Sequence, residues 1–229
     1  MGEIKPHYSN NRSILADVIP LDKPYSIQIE PSQVCNLKCK YCMQHLIPDH
    51  PTTIMTMETF GRVADQIAEF GGVKQINFAG WGEPLVNKRL PGMIKILKDR
   101  KVAENVAVVT NGLLINPTWV FSLVDAGLDH IRISLQGMDW FQYANICGRL
   151  IDWDVFLDNL TFLYKNKGQC KVSVKVADIG LRKGDKKLFY DTFGPISDQM
   201  FIETIRPMFK EGGNGYQGDE QIRNRTPSD

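Results

Sequence analysis

Short apolar runs recur along the chain at Tyr25–Ile29, Gln75–Ala79, Asn105–Thr110, His130–Leu135, Lys171–Ala177 and Gln199–Ile202, with helix-period segments between them. Strands that alternate with helices predict parallel β/α units. One helix is expected to bury Phe60, Val63, Ala64, Ile67 and Phe70, and the next Leu90, Met93, Ile94 and Leu97. Asn116-Pro117 reads as an N-cap and first helical residue with Gly127 as the stop, while Asp152 and Gly168 bracket a helix carrying Phe156, Leu157, Leu160 and Leu163. The expectation is six strands and five intervening helices. In a chain of 229 residues, 43% hydrophobic and 23% charged, that fits one sizeable core.

Side-chain parity narrows the architecture, because successive strand residues face opposite sides of the sheet. Ile27 and Ile29, Ile76 and Phe78, Ile131, Ile133 and Leu135, and Val172, Val174 and Val176 share one face. Gln28 and Glu30, Gln75 and Asn77, Arg132, Ser134 and Gln136, and Ser173 and Lys175 share the other. A parallel sheet with helices on both sides reads as nearly continuous apolar runs, and this one does not. A polar face suits the concave interior of a partial or complete β/α barrel; the bland alternative is a one-sided sheet with that face in solvent.

Directly after the first strand stands Cys35-Asn-Leu-Lys-Cys39-Lys-Tyr-Cys42. Three thiolates so close together can wrap an iron–sulfur cluster, which leaves one iron without a protein ligand. The alternatives are a structural zinc site, with His45 as the fourth ligand, and free or disulfide-bonded thiols, and the cluster is the leading reading. Neither His7, His50 nor His130 shows ligand-like pairing, and the isolated Cys147 and Cys170 read as small apolar fillers. An odd cysteine count without a disulfide framework points to a reducing compartment. No apolar run approaches a membrane span and Met1–Asn11 lacks a signal-peptide core, so a cytoplasmic protein is expected. The net charge of +1 gives no reason to expect nucleic acid as a partner.

The second strand runs into Phe78-Ala-Gly80-Trp81-Gly82-Glu83-Pro84-Leu85, at the carboxyl end where β/α folds place their sites. Its glycines allow backbone to approach a ligand closely, although such a loop can also be a simple turn. Thr110-Asn111-Gly112 closes the third strand and Ile133-Ser134-Leu135-Gln136-Gly137 the fourth.

With the cysteine run, these motifs resemble the radical S-adenosylmethionine (SAM) enzymes over about residues 25 to 203, in the manner of cores that carry SPASM or twitch domains. The resemblance implies an α/β fold, a partial (β/α)6 TIM-like barrel, with a [4Fe-4S] cluster on Cys35, Cys39 and Cys42 and SAM on its open iron. It places Tyr41 beside adenine and uses Gly80, Trp81, Gly82 and Glu83 to receive the methionyl amino group. Ser134 and Gln136 fall near the SAM ribose and carboxylate, Asn111 is a candidate for the same pocket, and Val174 and Val176 match positions that pack adenine. Reductive cleavage of SAM to a 5′-deoxyadenosyl radical is the implied oxidoreductase chemistry. The implied substrate is a peptide, sugar or related small molecule, and the electron donor a protein such as flavodoxin or ferredoxin. Lys175 and Arg132, inward by parity, are candidates for substrate or SAM carboxylate contacts; pairing with a lumen carboxylate such as Glu30 is the structural alternative.

Two departures stand out. Gln136 replaces an acidic residue common in the family, and Cys147 stands where many members carry an arginine, a task Arg149 could take over. The expected organisation is an N-terminal extension (1–24), the core (25–205) and a polar tail or linker (206–229), with no C-terminal auxiliary-cluster domain in this chain. A glycyl-radical activating enzyme, and a zinc-stabilised or inactive SAM-binding module, are the alternatives.

Overall fold

Seven parallel strands form one sheet in the computed structural model, which describes residues 1–5, 14–42, 44 and 49–205. In chain order the elements are β1 (Glu3–Ile4), β2 (Ser26–Ile29), α1 (Met57–Glu69), β3 (Val73–Phe78), α2 (Leu90–Asp99), β4 (Ala103–Thr110), α3 (Pro117–Asp125), β5 (His130–Leu135), α4 (Trp140–Cys147), α5 (Trp153–Lys165), β6 (Lys171–Ala177), α6 (Asp185–Phe193) and β7 (Gln199–Glu203). The order β1-β7-β6-β5-β4-β3-β2 leaves β1 and β2 as open edges, so the wall is a partial barrel. The tail beyond residue 205, together with His7 and His45, lies outside the described residues.

Local chemistry starts and stops the helices where the sequence indicates. Thr56, Asn116, Asp139 and Asp152 each accept a hydrogen bond from the backbone N–H three residues on, at the starts of α1, α3, α4 and α5. Gly148, at φ +63°, ends α4 in the left-handed conformation that glycine adopts without penalty.

Two elements exceed the expectation. β1 is only two residues long, too short for any periodicity to show, and joins the sheet by parallel pairing of Glu3 with Gln199 and Ile4 with Met200. α4 is an eight-residue helix whose buried side is the mixed set Gln142, Tyr143, Ile146 and Cys147, so no apolar stripe announced it.

The parity reading matches the burial. Ile76, Phe78, Ile131, Ile133, Leu135, Val172, Val174 and Val176 are buried under the helices, each side chain contributing about 1.5–3 kcal/mol. Gln75, Asn77, Arg132, Ser134 and Lys175 are half-buried on the concave face. There the polar groups form a network: Gln75 Nε2 and Arg132 Nη1 both donate to Asn77 Oδ1, at 2.9 and 3.1 Å. His130 Nε2 lies 2.6 Å from Ser173 Oγ, and Lys175 pairs with Glu203 of β7 rather than with Glu30.

At the amino end of the sheet one device occurs twice. Asp129, just before β5, accepts from Val106 N of β4 at 2.7 Å and from Lys98 at 2.8 Å. Asp198, just before β7, accepts from Val172 N of β6 at 2.8 Å and from Lys167 at 2.6 Å. Burial opposes ionisation of Asp198, yet the Lys167 and Val172 donors outweigh it and hold its carboxyl below the usual range.

Candidate functional site

The cysteine segment leaves β2 and crosses the carboxyl ends of the strands. Two main-chain hydrogen bonds hang it from the end of α4: Lys38 N donates to Cys147 O at 3.0 Å and Lys40 N to Ile146 O at 2.9 Å. These carbonyls belong to the last turn of α4, which has no intrahelical donor for them. Cys42 N donates to Cys39 O at 2.9 Å, which turns the third cysteine back toward the first two.

Burial pushes the Cys35 thiol up to about 11, and Glu83, then Cys39 and Cys42, add to the rise through like charge. The Cys42 thiol is raised by burial as well. Cys39 Sγ donates to Cys147 Sγ at 3.5 Å, and that hydrogen bond, followed by burial, raises its pKa. Among the described residues no three Cys, His, Asp or Glu side chains converge on a point where one ion could bind. Three thiolates on one short segment are a soft donor set of the kind that an iron–sulfur cluster or zinc takes.

The loop after β3 lies against this segment. Glu30 Oε1 accepts from the backbone N–H groups of Trp81 and Gly82, the latter at 2.9 Å. Glu83 N donates to Val34 O at 2.9 Å, and Asn87 Nδ2 to Pro31 O at 2.9 Å and Met55 O at 3.0 Å. A Cβ on Gly82 would sit 1.8 Å from Ser32 O, and one on Gly80 2.2 Å from Glu30 Oε1. Gly82 is therefore required by the approach of main chain at Ser32, while Gly80 makes room for the Glu30 carboxylate.

Glu83, expected to help receive the methionyl amino group, is engaged by the protein itself. It is buried, and its carboxylate accepts from Leu85 N at 3.0 Å, from Thr110 Oγ1 at 2.5 Å and from Asn111 N at 2.8 Å. Burial raises its pKa even so, against those three donors. It clamps the loop to the end of β4. Trp81 is half-exposed, its ring 5.5 Å from that of His50.

The other expected residues gather at the same end. Asn111 Nδ2 donates to Asn36 Oδ1 at 2.7 Å and lies 3.9 Å from Cys35 Sγ. Arg149 Nη1 donates to Asn36 O at 3.0 Å. Tyr41 is half-buried beside the thiols, its pKa raised chiefly by burial. Gln136 is buried; its Nε2 donates to Ser134 O at 2.9 Å, its N–H to Tyr143 Oη at 3.2 Å, and its Oε1 has no partner. Asn36 Nδ2 also finds no acceptor. Val174 and Val176 point to the helix side, away from this cluster. Orphaned polar atoms beside soft donors fit a site built for a cluster and a polar cofactor.

Sequence reasoning missed three contributors. Glu30 was placed only by parity, although its position before the cysteines put it within reach of the next loop. Asn36 sat inside the cysteine run as a spacer. Asn87 carried no signal, since an asparagine after a Pro-containing turn is ordinary. A cavity of about 380 Å³, lined by Lys23, Tyr25, Lys74, Lys101 and Glu104 among others, opens at the opposite end of β2–β4 and holds none of these groups.

Comparison with known proteins agrees with this layout. The family model described as the radical SAM superfamily matches residues 29–208. A probable GTP 3′,8-cyclase of Methanococcus maripaludis is 33% identical over 124 residues, 54% of this chain and 40% of that protein. A PqqA peptide cyclase of Granulibacter bethesdensis is 34% identical over 119 residues, 52% of this chain and 31% of that protein. The matches thus cover well under half the length of these curated relatives. Streptococcus suis SuiB, solved with S-adenosylmethionine, superposes with a TM-score of 0.67 at 17% identity, over 86% of this chain and 44% of that one. A structure of anSMEcpe with AdoMet bound gives 0.62 at 23% identity, over 83% of this chain and 54% of that one. No described helix is long and apolar enough to cross a membrane.

Proposed function

The chain belongs to the radical SAM superfamily, and from that premise we propose that it is an enzyme that cleaves SAM reductively and abstracts a hydrogen atom from a peptide, sugar or related small substrate. The observation that carries this reading is the meeting, at one end of a parallel sheet, of the cysteine segment, the Gly80–Glu83 loop and the ends of β4 and β5. Cys35, Cys39 and Cys42 would hold a [4Fe-4S] cluster. Tyr41, the Gly80–Gly82 backbone, Asn111, Ser134, Gln136 and Arg149 would surround SAM, with Glu83 fixing the loop as a positioning residue. When bound, the cluster supplies one low-potential electron to the sulfonium, which yields methionine and a 5′-deoxyadenosyl radical.

The chain's own residues position and shield. Main chain packed against Gly82 and the Glu30 carboxylate bound to the Trp81 and Gly82 amides hold the loop, so donors and acceptors are oriented before SAM arrives. The polar lumen, with Lys175 and Arg132, receives the substrate, and the helix-covered wall excludes water from the reacting carbon. A flavodoxin- or ferredoxin-like donor in a reducing cytoplasm supplies the electron. Residues 1–24 would precede the core as an extension that adds β1 to its sheet, and 206–229 would be a polar tail or linker.

The test is anaerobic reconstitution with iron and sulfide, followed by dithionite and SAM. The expected result is a broad visible thiolate-to-iron band and release of 5′-deoxyadenosine, both absent in Cys39→Ala. A colourless protein that retains one tight zinc would overturn the reading.

A further inference from the structure

The concave face carries a charge that the fold leaves unmatched. Its inward charged positions among the described residues include Glu3, Glu30, Arg132, Lys171, Lys175 and Glu203, and Glu3 is paired with the neighbouring Lys5. Glu30 is occupied by the amides of Trp81 and Gly82, and Glu203 by Lys175. Glu83, buried at the carboxyl ends of the strands, is occupied by Thr110, Asn111 and Leu85.

Arg132 forms no ion pair among the described residues. Its Nη1 donates to the neutral amide oxygen of Asn77 at 3.1 Å, while its Nε is buried without an acceptor. A guanidinium does not escape this by losing its proton, and a desolvated charge without a counter-charge is costly. Burial indeed opposes its charged form. The Nε–Nη2 edge is the one that grips a carboxylate or phosphate through two parallel hydrogen bonds, and here Asn77 fixes the plane of the fork from the other side.

We infer that Arg132 anchors an anionic group of the substrate, so that the molecule this lumen accepts carries a carboxylate or phosphate. The inference rests on the reading of the lumen as the substrate chamber. Depth separates this site from the SAM contacts: Arg132 precedes Ser134 by two residues and Gln136 by four, about 7 and 13 Å further into the lumen at ~3.3 Å per residue. Lys175, one layer up and already paired with Glu203, does not offer the same free charge.

Calorimetric titration of the reconstituted protein, with and without SAM, tests this with inorganic pyrophosphate, succinate and uncharged glycerol as probes at low ionic strength. Saturable binding of one anion and none of glycerol is expected, weakened about tenfold or more in Arg132→Gln and partly restored in Arg132→Lys. Pyrophosphate against succinate tells a phosphate from a carboxylate substrate. Iron content and far-ultraviolet circular dichroism verify that each variant is folded. The inference is overturned if neither anion binds the wild type, if Arg132→Gln binds it equally well, or if SAM affinity falls by the same factor, which would make Arg132 the SAM carboxylate contact. Failure of the wild type to release 5′-deoxyadenosine would sink the enzymatic reading instead and leave the anion result standing.

Discussion

The two ends of the sheet handle buried polar groups in opposite ways. At the amino end Asp129 and Asp198 each meet a lysine and a strand N–H, so charge and hydrogen-bonding capacity are matched locally. At the carboxyl end Gln136 Oε1 and Asn36 Nδ2, with Arg132 Nε deeper in the lumen, lack partners among the described residues, and three thiols are buried or half-buried. The first end is finished by folding; the second is finished only by what it binds. Since a buried polar group left unmatched costs about 1–3 kcal/mol, the contrast marks where stability has been yielded to chemistry.

Substitutions at the two ends should separate accordingly. Cys39→Ala is expected to remove the reconstituted iron altogether, measured by iron content and visible absorbance; full retention would erase the distinction between the ends. Gly82→Ala comes next, because its Cβ would meet main chain at Ser32 O, which cannot swing aside. It should cost about 3 kcal/mol or more in urea unfolding, or else abolish SAM binding in a protein that refolds around the clash.

Asp198→Asn belongs to the finished end and should cost about 2 kcal/mol at neutral pH with iron content unchanged. Because the Asp198 carboxyl is held below its usual range, its contribution is present above the ordinary aspartate pKa and lost as pH falls through the lowered value. The variant should therefore show a flatter acid limb of stability, and an identical limb would show that the pair is inert. Cys147→Ala should be the mildest, within about 1 kcal/mol and near wild-type iron, since the small side chain is buried and is not one of the three clustered thiols.

Much of this was legible in the sequence for a definable reason. The strands of a one-sided polar sheet write their orientation into alternate residues, so Ile131, Ile133 and Leu135 and their opposites Arg132 and Ser134 could be sorted without coordinates. Cys35, Cys39 and Cys42 were legible because local spacing is itself the geometry. Glu83 was not, since its donors Thr110 and Asn111 arrive from another strand. Lys175 likewise met Glu203 rather than Glu30, because β7 is its neighbour and β2 lies across the sheet. β1 and α4 were too short for a period to emerge.

The suspension of the cysteine segment from α4 has a consequence for any survey of this protein by substitution. Both links join main-chain atoms, Lys38 N to Cys147 O and Lys40 N to Ile146 O, while the two lysine side chains stand in solvent. Exchanging either lysine for almost any other amino acid leaves the tether whole, so a scan through alanine would score both positions as dispensable. Only proline, which lacks the hydrogen, would cut it: the fastening that fixes where the thiols sit is written in an alphabet that side chains do not spell.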